Sequence, residues 1–171
     1  MGVERPKSPF HARPFRPDEA SALKALRLEA LADNPPAFAE RIDVALAMDG
    51  EDFSAPLARG EVWALFENDA AVGMAGLDRF VGANVQHKAT VWGVYLCPAA
   101  RGRGGADVLF GAVIAHARSV GVEILQLGVG DFNLRAQAAY RRMGFEPYGL
   151  EKAAVKLHDR YIDEVLMALR L

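Results

Sequence analysis

Cysteine is almost absent from this sequence, and Cys97 stands alone. A single thiol excludes a disulfide framework and fits a reducing compartment. Neither sign of charge is in excess: 20 Lys and Arg face 22 Asp and Glu, a formal charge of −2. Such a balance argues against a protein whose main partner is a nucleic-acid backbone. No apolar run reaches the ~18 residues a membrane-spanning helix requires. The longest, Val108–Ala117, is interrupted by Gly111 and His116. Met1–Pro9 is polar and lacks the apolar core of a secretory leader, and Pro6 stands where a myristoylation signal wants Ser or Thr. His11, His87, His116 and His158 are scattered without ligand spacing, so no metal is expected. These absences predict a cytoplasmic protein without membrane or nucleic-acid partners. They also predict a flexible N-terminus over Met1–Pro9 and one domain over residues 10–171.

What is present is a core. Apolar residues make up 51% of the chain and charged ones 25%, the proportions of an ordinary globular domain. A short extended stretch, Phe10–Phe15, precedes a helical pattern from Asp18 to Asn34, with Leu23, Leu26, Leu28 and Leu31 at helical spacing. A second helix is predicted over Ala37–Met48, with Phe38, Ile42, Ala45 and Leu46 on one face and Gly50 as its stop. One more turn is predicted over Asp52–Arg59. The period then shortens. Val62–Phe66, Ala71–Arg79 and Lys88–Leu96 read as strands joined by hairpin connections. Helices follow from the turn after Pro98 to about Ser119 and over Asn133–Met143, separated by a strand at Glu123–Val129. Phe145–Lys156 and Tyr161–Leu169 close the chain as a hairpin. The order β α α β β β α β α β β predicts a single-domain mixed α/β sheet of about seven strands, with helices on both faces.

The richest segment is Arg101-Gly102-Arg103-Gly104-Gly105, between a strand and a helix. Backbone N–H groups at a helix start lack intrahelical partners, and the helix dipole places about half a positive charge there. Glycines let the main chain approach an anion, and Arg101 and Arg103 can add charge-assisted hydrogen bonds. A cradle for a pyrophosphate and a surface turn with two solvated arginines both satisfy this pattern. A dinucleotide fingerprint fits Gly102 and Gly104 but meets Asp107 at its third position, and no Gly-Lys-Ser/Thr triplet exists for a Walker A loop.

The stretch from Pro98 to Ala106 resembles the Arg-x-x-Gly-x-Gly/Ala signature of the GCN5-related N-acetyltransferase (GNAT) family. Asn133-x-x-Ala136-x-x-x-Tyr140-x-x-x-Gly144-Phe145 is similar to that family's second coenzyme A motif, and the element order matches along nearly the whole chain. One departure is Gly105, where relatives more often carry an aliphatic residue.

The resemblance implies an acetyl-CoA-dependent acyltransferase whose sheet is splayed between the fourth and fifth strands. It places the diphosphate on the amides of Arg101, Gly102, Arg103, Gly104, Gly105 and Ala106. It places the pantetheine arm along Val94, Tyr95 and Leu96 as a pseudo-strand. Asn133 would bond pantetheine or serve simply as an N-cap. Ala136 would leave room for the arm beside Tyr140. A phenol of pKa ~10 is protonated at neutral pH and can give its proton to a departing thiolate. The same Tyr140 also fits a core position with its hydroxyl bonded to backbone.

The implied reaction is direct attack by a primary amine of a small molecule or peptide N-terminus in a ternary complex. A lysine-like amine costs ~4.6 kcal/mol to deprotonate at pH 7, an α-amine only ~1 kcal/mol. Glu29, on the first helix, and Asp78, late in the third strand, are candidate bases, each able to work through a water; the plainer readings, a solvated helix face and a strand-end carboxylate, fit them better. Six carboxylates between Asp33 and Asp52 against the single Arg41 suggest an acidic lip that draws cationic acceptors, or a merely solvated surface. Cys97 reads as a structural thiol, and Trp63 and Trp92 read as core. Tyr161–Leu169 is apolar enough to pair two copies as a homodimer. The alternatives are a non-catalytic acyl-CoA-binding or sensing domain and an NAD(P)-dependent oxidoreductase with Glu123 as ribose ligand.

Overall fold

The computed structural model describes residues 8–171. Except for Ser8 and Pro9, which are respectively exposed, the expected flexible N-terminus lies outside the described residues. Seven strands form one sheet: β1 (Phe10–Pro14), β2 (Val62–Glu67), β3 (Ala70–Arg79), β4 (Lys88–Leu96), β5 (Ile124–Gly130), β6 (Glu146–Leu157) and β7 (Arg160–Arg170). Their spatial order is β1-β2-β3-β4-β5-β7-β6, with β4–β5 the parallel pair and all other neighbours antiparallel.

Helices α1 (Ala20–Asp33), α2 (Ile42–Ala47) and α3 (Gly50–Ala58) precede β2, α4 (Gly105–Ser119) follows β4, and α5 (Leu134–Arg142) follows β5. The expected mixed sheet with helices on both faces is therefore present. Two apolar layers explain why the central strands are buried on both sides. Trp63 and Leu65 of β2 join Leu109, Phe110 and Val113 of α4 on one face. Val62, Ala64 and Phe66 join Leu23, Leu26, Leu31, Phe53 and Leu57 on the other. No helix among the described residues is long and apolar enough to cross a membrane.

The segment before β2 departs from the predicted helix over Ala37–Met48. Pro35 and Pro36 start a short 3-10 turn, Pro35–Ala37, and Phe38 leaves it extended at φ −132°. Phe38 is buried from that extended backbone, whereas Ile42 and Leu46 of the shorter α2 are exposed. Gly50, expected as a stop, opens α3 instead. Asp49 accepts hydrogen bonds from the amides of Glu51 and Asp52, and the Asp49 amide in turn donates to Asp52 Oδ2. This capping box makes one junction both an end and a beginning.

Two irregularities shape the middle of the sheet. β4 and β5 pair only at Lys88–Ile124, Ala89–Leu125 and Thr90–Gln126, after which both strands continue apart. The β3–β4 register also shifts between Met74–Tyr95 and Gly76–Trp92. Gly93, inside that bulge, has φ +59°, a value glycine adopts without steric cost.

Candidate active site

The fork between β4 and β5 opens a cleft of about 580 Å³. Val94, Tyr95 and Leu96 form one wall and Leu127–Gly130 the other, with the start of α4 and the inner side of α5 between them. β5 offers no partner to the outer edge of β4 beyond Thr90, so a peptide-like chain can pair there.

The loop after β4 enters α4 without any side-chain cap, through Gly104 at φ +86°. Gly102 is likewise left-handed, at φ +74°. Gly102, Gly104, Gly105 and Ala106 line the cleft, and the first amides of α4 have no intrahelical acceptor. Gly105 answers a packing demand: a Cβ there would lie 2.7 Å from Leu65 Cδ2 and 3.1 Å from Leu96 Cδ2. Close approach of α4 to the sheet accounts for this departure from the aliphatic pattern.

The two arginines of the loop separate. Arg101 lines the cleft; its Nε donates to the Leu96 carbonyl at 2.9 Å, and it pairs with Asp33. Arg103 does not line it. Its guanidinium pairs with Glu67, donates to the Ala99 carbonyl at 3.1 Å and lies over the Phe10 ring. The expectation that the Arg103 side chain faces the cradle is thus corrected: Glu67 and Phe10 hold it on β1 and β2. Arg135 and Arg142 of α5 line the cleft instead, with Arg142 Nη2 3.6 Å from Asp107. Seven residues apart, they share a helix face with Ala139 and Met143, a spacing legible in the sequence.

Asn133 caps α5, its Oδ1 accepting from the Ala136 amide at 3.1 Å, and it also faces the cleft. Ala136 and Tyr140 lie on the same wall. Tyr140 packs on Phe110 and Phe145, with ring centroids 5.4 and 6.0 Å away. Burial alone pushes its phenol above the ordinary value, and no protein hydrogen bond contributes. A hydroxyl at a cleft wall with no hydrogen-bond partner among the described residues is available to a ligand.

The candidate bases also separate. Tyr95 Oη donates to Glu29 Oε1 at 3.0 Å, which places Glu29 on α1 behind a cleft-lining residue. Asp78 is exposed, opposite Thr90, at the closed end of the fork and outside the cleft wall. The position late in β3 that suggested it lies at the wrong end of the strand. Burial and then the nearby Glu29 push the Cys97 thiol up to about 11, so it stays protonated and unreactive at neutral pH.

Three of the six carboxylates of the acidic lip are paired with arginines. Asp33 pairs with Arg101, Glu40 with Arg27 and Asp43 with Arg41, while Asp49 and Asp52 form the α3 capping box. Trp92, expected in the core, is half-buried and lines the cleft, and its Nε1 has no hydrogen-bond partner among the described residues. The bulge beside it explains the difference, because it turns consecutive residues toward one face. Among the described residues no three His, Cys, Asp or Glu side chains group as metal ligands.

A family model described as "Acetyltransferase (GNAT) family" matches residues 22–145. The chain belongs to the GNAT acetyltransferase family. As a GNAT acetyltransferase it is an acyltransferase enzyme, and its architecture recurs among solved structures. A GNAT-family acetyltransferase from Streptococcus pneumoniae superposes with a TM-score of 0.84 at 20% identity, covering 95% of this chain and 99% of that one. A ribosomal-protein-alanine N-acetyltransferase from Brucella melitensis gives 0.81 at 25% identity, covering 94% and 99%. A GNAT-superfamily phosphinothricin acetyltransferase from Sinorhizobium meliloti, solved in complex with AcCoA, gives 0.76 at 23% identity, covering 95% and 88%. No curated protein matches the chain significantly. The GNAT cleft described above has what a coenzyme A diphosphate needs: an uncapped helix start, glycines that leave the main chain bare, and cationic walls from Arg101, Arg135 and Arg142.

Proposed function

We propose that residues 10–171 act as one catalytic domain that transfers acetyl from acetyl-CoA to a primary amine of a small molecule or peptide N-terminus. Attack is direct, in a ternary complex. The observation that carries this reading is the β4–β5 fork ending on an uncapped α4. The amides from Arg101 to Ala106 hold the diphosphate, and Arg101 supplies the facing charge. Val94, Tyr95 and Leu96 pair with the pantetheine arm, and an amide at Tyr95 or Leu96 polarises the acyl carbonyl.

When bound, acetyl-CoA supplies the acyl carbon as an activated thioester. Tyr140 keeps its proton at Oη for the departing sulfur, because the site favours the uncharged phenol. Asn133 completes the wall while fixing the start of α5. Glu29, reached through the Tyr95 hydroxyl, is the better-placed of the two candidate bases. The reading is tested by incubating the protein with acetyl-CoA and a panel of α-amines, alkylamines and polyamines while free thiol is monitored. Amine-dependent thiol release is expected, and none with any amine refutes it.

A further inference from the structure

The face of the sheet opposite α4 is covered unevenly. α1 and α3 pack over β2–β4, while beyond the fork the Pro35–Ala37 turn reaches β5 and β6. On this open face the carboxylate of Glu164 lies across β5. Gly128 is paired with Leu166, and the place a Cβ on Gly128 would need is taken by Glu164 Oε2. Gly128 itself lines the cleft, just past the last β4–β5 pair. The glycine therefore serves as a notch that brings a carboxylate from β7 to the rim of the active site.

That carboxylate has no cation beside it among the described residues. Among the described residues Glu164 enters neither a salt bridge nor a side-chain hydrogen bond, whereas its neighbour Asp163 is paired with Lys152. The residue opposite it on β6 is Glu151, a like charge. Gly128 shares the cleft with the aromatic side chains of Phe38 and Trp92. Burial, and then the field of Glu151, pushes the Glu164 carboxyl above its ordinary value. Both effects are relieved when a cation arrives.

From this arrangement we infer that Glu164 is the acceptor-binding carboxylate, holding the ammonium form of a primary amine on an apolar or aromatic framework. The inference rests on the amine-acetyltransferase reading and deepens it. It also moves the site's cation preference from the carboxylates between Asp33 and Asp52 to one residue on β7. Aromatic residues lining the cleft that this carboxylate borders suit an ammonium carried by an apolar group, through charge-assisted hydrogen bonds and contact with the ring faces.

The test uses the full chain saturated with coenzyme A, titrated by calorimetry with 2-phenylethylamine and with the isosteric neutral 2-phenylethanol. Wild type is expected to bind the amine about tenfold more tightly or better. Glu164→Gln and Glu164→Ala are expected to erase that preference while alcohol binding persists. Equal binding of the two probes, no binding of either, or a preference that survives Glu164→Gln overturns the inference. If both variants lose both probes, Glu164→Asp decides: a preference for the amine there supports the inference, and its absence overturns it. Thiol release from acetyl-CoA is read separately. An amine preference that depends on Glu164, without any turnover, sinks the transfer reading and leaves the ammonium subsite standing.

Discussion

Tyr140→Phe separates chemistry from folding because of how the side chain is held. Its ring supplies packing against Phe110 and Phe145, which phenylalanine retains. Its hydroxyl makes no hydrogen bond among the described residues, so the substitution strands no partner there. Stability should therefore change by less than about 1 kcal/mol. If the phenol is the proton donor to the departing sulfur, its loss should lower kcat by roughly 10²–10⁴-fold. That factor corresponds to about 2.7–5.5 kcal/mol of activation free energy. Acetyl-CoA affinity should stay within about twofold, since the donor acts after binding. The assay pairs thiol release at saturating amine with calorimetric titration of acetyl-CoA and thermal melts of both proteins. Because burial raises the phenol above its ordinary value, wild-type activity should show no alkaline fall from this group up to about pH 10. A variant that folds, binds acetyl-CoA and keeps kcat within about threefold of wild type refutes the assignment.

Three further outcomes follow from named contacts. Arg101→Ala should weaken acetyl-CoA about tenfold or more, whereas Arg103→Ala should leave it nearly unchanged, because only Arg101 faces the cleft; parallel titrations decide. Gly105→Ala should destabilise by about 1–3 kcal/mol, as its Cβ meets Leu65 and Leu96, and should shift the urea midpoint accordingly. Arg13 holds Glu19 well below its ordinary value, at about 2. A carboxyl depressed on folding adds stability that is present above its unfolded value near 4.5 and lost as pH falls toward 2. Urea melts from pH 7 to pH 3 should show wild type losing more of its stability than Glu19→Gln.

Much of the fold was legible because alternation and helical spacing speak directly about burial. The strand Lys88–Leu96 and the turn at His158–Asp159 fall where the pattern put them. The segment from Asn34 to Asp52 was misread because tertiary packing decided it. Phe38 reaches the core from extended backbone, and Gly50 acts as a start only because Asp49 and Asp52 cap each other. In the site, residues named through main-chain geometry were easiest to find. The uncapped helix start and Asn133 need only local sequence to place them. Side chains whose direction depends on distant partners were not legible. Arg103 turns to Glu67 and Phe10, Asp78 lies at the closed end of its strand, and Glu164 reaches the rim of the site only because β5 carries a glycine, Gly128, where its carboxylate crosses.

Hydrogen exchange at single amides, with and without acetyl-CoA, tests the fork most directly. Protection on adding acetyl-CoA should appear at residues 94–96 and 101–106, with the β2–β3 hairpin unchanged. Saturating acetyl-CoA that leaves those amides exchanging as before would contradict the proposed grip of this loop on the diphosphate.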